Sequence, residues 1–271
     1  MKIIRKVLLY LGIILGAFIM ILPFMWMITT SLKPLKLSYE PPYLFPKYIE
    51  FTNYIKAWNS APFFDYYKNS LIVAISITAL TILISAMAAY PFARFEFKGK
   101  KFIFFLFLGS MMIPFYVQII PLYGIIVKLG WLDSRKALII PRLFSPFGIF
   151  LFRQYFLTIP KELDEAAEID GCNKISIFWK IILPLSMPAI ASLSIFTFLF
   201  GWNDFLWPLL VTTRPEFTTV QLGIANFSGK YGTNWPYLMA GTVTSILPVF
   251  LIFIIGQKQF ISGITTGGVK E

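Results

Sequence analysis

The chain has 271 residues, 57% hydrophobic, 18% aromatic and only 14% charged, with a formal net charge of +11. Soluble domains carry about a quarter charged residues, and here the charges are clustered so that long runs have none, which places the chain in a lipid bilayer. One cysteine and no histidine exclude an intrachain disulfide, Cys/His metal sites and histidine acid–base chemistry; the lysines and arginines flank apolar runs and form no basic helix or aromatic RNA motif, which argues against nucleic acid as a partner.

Met1 to Lys6 is short and basic, and an apolar run over residues 7–31 is long enough to span a bilayer. It lacks the shorter core and small-residue cleavage site of a secretory signal, so it is expected as a retained first helix, kinked at Pro23. Residues 33–68 are polar, aromatic and proline-rich. Glu40-Pro41-Pro42 and Pro46 favour extended or turn structure, and the segment reads as an extracytoplasmic loop with a short helix near Phe51–Trp58. Residues 69–93 form the second expected span, in which Ser76, Ser85, Ala86, Ala88 and Ala89 permit close helix packing. After a basic turn at 94–101 comes the third, 102–127, interrupted by Pro114 and Pro121 and carrying Gln118. The fourth, 137–152, is broken by Pro141 and Pro146 and contains Arg142. Residues 185–211 and 236–256 are the fifth and sixth, followed by a tail at 257–271.

Six spans put both termini on one side. Three positive charges in the first six residues and four in the eight residues 94–101 assign that side to the cytoplasm. The loop at 33–68 has five lysines, spread over a longer stretch. The expected fold is therefore an all-α integral membrane domain of six transmembrane helices in the cell membrane, with residues 153–182 as a cytoplasmic loop between helices 4 and 5.

That loop holds Glu162, Asp164, Glu165, Glu168 and Asp170, five of the chain's thirteen acids. Pro160 before Lys161-Glu162 suits a helix start with acids in its first turn. Leu163, Ala166, Ala167 and Ile169 give a small apolar stripe, Gly171 can end the helix at positive φ, and Ile175, Phe178, Ile181 and Ile182 begin a second stripe leading to Leu183-Pro184. The pattern reads as a helix, a glycine turn and a second helix lying against the membrane; a solvated amphipathic connector is the plainer alternative. The chain has no GxxxxGK[ST] phosphate loop, so any ATP hydrolysis would have to come from another chain.

Glu165-Ala166-Ala167, Asp170-Gly171 and Ile181-Ile182-Leu183-Pro184 resemble, in residues and spacing, the EAA loop of permease subunits of binding-protein-dependent ABC importers. Phe200-Gly201-Trp202-Asn203-Asp204 through Leu209 is similar to the fifth-helix segment of carbohydrate permeases. Pro114 with Ile120-Pro121-Leu122-Tyr123 is similar to their third helix, and Gln259–Gly263 with Gly267–Lys270 to the tail of the shorter six-helix partner in the maltose-type permease pair. Cys172 departs from the pattern, standing where a small residue such as alanine is common. The resemblance implies a coupling helix in which Glu162, Glu165, Ala166, Ala167, Asp170 and Gly171 dock on an ATPase. It further implies two ATPase copies carrying ATP and Mg, a second permease, an extracytoplasmic sugar-binding protein, and no cofactor or catalytic site on this chain.

Asp204 is the one acid inside an apolar span, where an unpaired charge costs at least about 2.5 kcal/mol. With Trp202, Asn203 and Gln118 it is a candidate for the substrate pathway, since sugars hydrogen-bond through hydroxyls and stack their C–H faces on rings; a structural cap or pairing role is the alternative. An ABC permease for a non-sugar solute such as a peptide, phosphate or polyamine would share the coupling loop. An integral-membrane enzyme would need a catalytic cluster, and a proton-coupled carrier buried carboxylates on several spans; neither is present.

Overall fold

A computed structural model describes residues 2–41, 45–229 and 232–268, with the backbone alone at 2, 3 and 258–268. Pro42 and the end of the tail at 269–271 lie outside the described residues, as do the side chains of the tail motif. The chain divides into two compact units: Met1–Tyr67 with Val220–Pro248, and Lys68–Thr219 with Val249–Glu271.

In the first unit, α1 (Lys2–Ser31) contains Pro23, and its apolar side chains are exposed along most of its length, as suits a helix in lipid. Its C-terminal end is anchored. The Asn53 amide, on α2 (Thr52–Asn59), donates to the carbonyls of Ser31 and Lys33 at 2.8 and 2.7 Å, and the Ser31 and Tyr54 hydroxyls share a hydrogen bond of 2.7 Å. Lys33 is buried, and its ammonium donates to the carbonyls of Glu40 and Pro41, each at 2.9 Å. One lysine of the lysine-rich loop is thus an internal staple rather than a surface charge. The rings of Phe63 and Phe227 stack 5.4 Å apart.

The second unit begins within α3 (Phe63–Arg94). The segment expected as the third span is two helices, α4 (Lys100–Ser110) and α5 (Phe115–Lys128), bent by 94°. Pro114 stands at the break in extended conformation, because proline has no N–H to continue a helix and pushes the residue before it out of the helical region. The expected fourth span is also divided. α6 (Arg135–Ile139) passes into a tight turn over Ile140–Arg142, and α7 (Pro146–Thr158) starts afresh where the Ser145 hydroxyl accepts from the Gly148 amide at 3.0 Å. Ser before Pro is an N-cap followed by an N1 proline, a local signal for a new helix. Gly148 is required by proximity: a Cβ there would lie 2.6 Å from the Ser85 hydroxyl and 3.1 Å from Leu193.

Two helices follow, α8 (Glu162–Ile169) and α9 (Lys174–Ile177). The chain continues through a widened π turn at Phe178–Ile182 and α10 (Leu183–Leu185), then bends by 74° into α11 (Met187–Trp202). Pro184 has no N–H for the Lys180 carbonyl four residues back, which lies in the widened turn. α12 (Leu206–Val211) completes the run, α13 (Val220–Ala225) and a minimal hairpin of β1 (Ser228–Gly229) and β2 (Gly232–Thr233) belong to the first unit, and α14 (Trp235–Gly268) closes the chain.

Among the described residues three helical stretches are long and apolar enough to cross a membrane, Ile4–Ser31, Phe63–Arg94 and Trp235–Gln257. The two bent pairs, α4 with α5 and Lys174–Leu185 with α11, bring the number to five. The proline-divided α6–α7 segment is the expected span outside that measure.

Asp133, in the turn between α5 and α6, sits at φ 53°, a left-handed conformation that Asp tolerates. Its carboxylate accepts from the Thr213 and Arg214 amides at 2.5 and 2.9 Å and from the Thr213 hydroxyl at 2.7 Å. Burial would push this carboxyl up, but the three hydrogen bonds outweigh it and hold it below the usual carboxylate range. A lowered native value gives a contribution present above the unfolded-state pKa and lost as pH falls through the native one. The protection factors of the Thr213 and Arg214 amides, taken relative to their intrinsic exchange rates, are therefore expected to hold at neutral pH and to fall only below about pH 4; Asp133→Asn should remove that fall.

Candidate functional site

Two sets of residues stand out in the second unit. The first is the acidic segment. α8 carries Glu162, Asp164 and Glu165 in its first turn, favourable to the exposed N–H groups there. It ends in a glycine cap: Gly171 is at φ +83°, its amide donates to Glu168 at 3.0 Å, and the Cys172 amide reaches back to Ala167 at 2.8 Å. These are the two bonds of a Schellman motif. The Asn173 side chain then accepts from the Ser176 amide at 2.8 Å and starts α9, so the reversal between the two helices is fixed within three residues.

The buried face of α8 differs from the apolar stripe expected from sequence. Asp164 and Ala167 are buried, while Leu163, Ala166 and Ile169 face outward with Glu162 and Glu165; Ile169 is 87% exposed. Asp164 is drawn in by a cation. Arg94, at the end of α3, places its Nε 2.9 Å from the Asp164 carboxylate, with 4% and 12% of the two side chains exposed. The same guanidinium donates to the Ile159 carbonyl at the end of α7 at 3.0 Å. Burial pushes the Asp164 carboxyl above its ordinary range, and Arg94 opposes that only in part.

α3 also holds α9, through the Tyr90 hydroxyl, which donates to the Lys174 carbonyl at 3.2 Å. Ile177, Phe178 and Ile182 enter a core with Ala86, Ala89, Tyr90, Phe152, Phe156 and Leu193. Ile175, expected in that stripe, is 70% exposed, and Ile177 takes its place. The segment is thus rigidly joined to α3, α7 and α11 on one side. On the other it offers a partner Glu162, Glu165, Ala166, Asp170 and Gly171, five of the six residues expected to dock, with Ile169 beside them; Ala167, the sixth, is buried in the core because it faces the packed side of α8 with Asp164.

The second set surrounds a cavity of about 640 Å³, whose walls include Phe115, Gln118, Arg142, Phe147, Phe196 and Phe200. Arg142 is its one charged lining residue. Its guanidinium carbon lies 3.7 Å from the Phe115 ring centre and 4.8 Å from that of Phe200, and it contacts the Asp204 carboxylate at 2.5 Å. The Arg142 Nε is buried without a hydrogen-bond partner. The other Asp204 oxygen accepts from the Trp207 amide at 3.4 Å, at the start of α12.

Of the four pathway residues expected from sequence, Gln118 lines the cavity and Asp204 reaches it through Arg142. Trp202 is buried against Phe198, ring to ring at 5.8 Å, and Asn203 is exposed; neither lines the cavity. Arg142 and the phenylalanines are the residues sequence reading missed. The available signal was that a lone arginine and a lone acid in apolar spans require each other.

Residues 81–262 match the family described as binding-protein-dependent transport system inner membrane component. The chain is 38% identical to the arabinooligosaccharides transport system permease protein AraQ of Halalkalibacterium halodurans, over 97% of this chain and 96% of that one. It is 37% identical to the trehalose/maltose transport system permease protein MalG of Thermococcus litoralis, over 99% and 98%. In fold it is similar to a chain of a bacterial ABC transporter involved in the import of the acidic polysaccharide alginate, with a TM-score of 0.83, 22% identity and coverage of 94% and 97%. These relatives are transport permeases, and the mostly helical, apolar fold is of the same kind. The protein belongs to the family of inner membrane components of binding-protein-dependent transport systems.

Proposed function

We propose that this chain is the permease subunit of a sugar importer of the ABC class, with its spans in the cytoplasmic membrane, both termini and residues 153–182 in the cytoplasm, and the loop at 33–68 outside. It pairs with a second, similar permease and receives sugar from an extracytoplasmic binding protein. Two ATPase subunits hold ATP and Mg, one of them docking on α8 of this chain, which itself binds no cofactor. The observation that carries this reading is the division of α8 into a face tied down by Arg94 and an outward face of acids, Ala166 and Ile169. When the ATPases close, α8 moves, and Arg94 and Tyr90 pass that movement directly to α3.

Sugar as the solute is supported by the names of the relatives and by the cavity. Aromatic faces stack on the C–H surface of a pyranose or furanose, while Gln118 and Arg142 supply hydrogen-bond donors. A polyamine would instead meet a cation at Arg142.

Glu165→Lys puts a positive charge on the outward face without touching a buried group. In proteoliposomes holding the whole transporter it is expected to lower uptake and binding-protein-stimulated ATP hydrolysis at least tenfold, with membrane insertion unchanged. Normal uptake by this variant would remove α8 from the coupling role.

A further inference from the structure

A second cavity, of about 1030 Å³, lies where the end of α3, the start of α4 and the end of α7 meet. Its walls bring together Lys100, Lys101, Arg153 and Lys161 with one carboxylate, Glu96. Lys100 is committed, donating to the Phe95 carbonyl at 2.7 Å and to Glu96 at 2.9 Å. Arg153 is held with its guanidinium carbon 4.3 Å from the centre of the Phe104 ring and its Nε on the Phe92 carbonyl at 3.1 Å. Glu96 neutralises one cation and leaves three. Lys101 and Lys161 are exposed, and among the described residues neither ammonium makes a salt bridge or side-chain hydrogen bond, although both lie near enough to Glu96 to favour its ionised form.

On the α4 wall, directly beside Lys101, Phe102 and Phe105 are 68% and 67% exposed, and Leu157 faces the cavity from α7. Cations at the mouth and bare apolar rings one turn further along a hydrophobic helix match, in order, the two chemistries of a phospholipid: an anionic phosphate above and acyl chains below. We propose that this cleft binds one anionic phospholipid, its phosphodiester held by Lys101, Lys161 and the free guanidinium edge of Arg153, and its chains laid on Phe102 and Phe105. Under the orientation given above it opens at the inner leaflet, where basic pockets between transmembrane helices take anionic head groups. Because Lys161 immediately precedes α8, a lipid held there touches the coupling segment at its root.

The test uses the assembled transporter in nanodiscs of phosphatidylglycerol and phosphatidylcholine in equal parts, with retained lipid read by native mass spectrometry. One phosphatidylglycerol per copy of this chain should survive delipidation, and Lys101→Gln/Lys161→Gln should reduce its retention at least tenfold. A photoreactive residue in place of Phe105 should label lipid. Inorganic phosphate added to the delipidated complex should not protect it thermally, whereas phosphatidylglycerol should. Equal retention in both forms, equal retention of phosphatidylcholine, protection by phosphate alone, or labelling of a protein chain from position 105 would each overturn the proposal. Since Lys101→Gln/Lys161→Gln leaves Glu165 and the Arg94–Asp164 pair intact, its failure is distinguishable from failure of the coupling role.

Discussion

Arg94→Ala is expected to abolish uptake while the chain still inserts in the membrane. The guanidinium joins three elements: it terminates α3, pairs with Asp164 on α8 and caps the Ile159 carbonyl of α7. Removing one member of a buried pair leaves the other charge desolvated and unmatched, at a cost of about 3–5 kcal/mol. That exceeds what a helix of eight residues, with only Asp164 and Ala167 buried, can recover from its own contacts. The helix should therefore loosen from α3, so that ATP hydrolysis no longer moves the spans. Arg94→Lys keeps the charge but loses the planar fork and should retain partial uptake. Arg94→Met with Asp164→Leu removes both charges and should restore folding stability more than it restores uptake. A purely structural pair would recover both together; proteoliposome uptake and a thermal melt, read side by side, separate the two outcomes.

The second large effect is expected at Arg142 and Asp204. Asp204→Asn leaves a guanidinium buried between Phe115 and Phe200 without a counter-charge, and should lower stability by about 3–5 kcal/mol. The start of α12 should be little affected, since the Asn amide oxygen can still accept from the Trp207 N–H. Arg142→Ala removes the cation and opens the cavity wall. The double variant Arg142→Met/Asp204→Asn should be clearly more stable than Asp204→Asn alone, because neighbours in one ion pair do not combine additively. Its transport should stay low, since the cavity has lost its one charged donor. Melting of the purified complex gives the first quantity, uptake the second.

The contrast between the two sites shows what kind of information the chain carries locally. The reversal after α8 was readable because it depends on neighbours: acids after Pro160 and Gly171 at a left-handed position. The face that α8 buries was not. Apolar periodicity pointed to Leu163, Ala166, Ala167 and Ile169, yet of these only Ala167 is buried, with Asp164 beside it, because Arg94, seventy positions earlier in the chain, supplies the cation that makes that burial tolerable. The Arg142–Asp204 pair is of the same kind, with each member visible as an anomaly and the partnership set by tertiary packing.

Lipid removes a further clue. In water an apolar stripe marks the inside, but α1 is apolar and exposed along most of its length, since hydrocarbon solvates such a surface as well as protein does. The presence of long apolar helices was legible, and their internal breaks less so. Pro114 and Pro146 announced interruptions, while Pro121 stays inside α5, and the 94° bend between α4 and α5 follows from packing that no count of apolar residues contains.

The central claim is that the outward face of α8 seats an ATPase subunit. It is tested most directly by placing a thiol at Ile169, which is 87% exposed, in a Cys172→Ala background, and adding a short bifunctional crosslinker to membranes holding the complete transporter. The predicted result is a crosslink from Ile169→Cys to the ATPase whose yield changes when ATP binds, and none from a thiol placed at the buried Ala167. A thiol at 169 that reacts only with soluble reagent, in the assembled transporter and in either nucleotide state, would contradict the account.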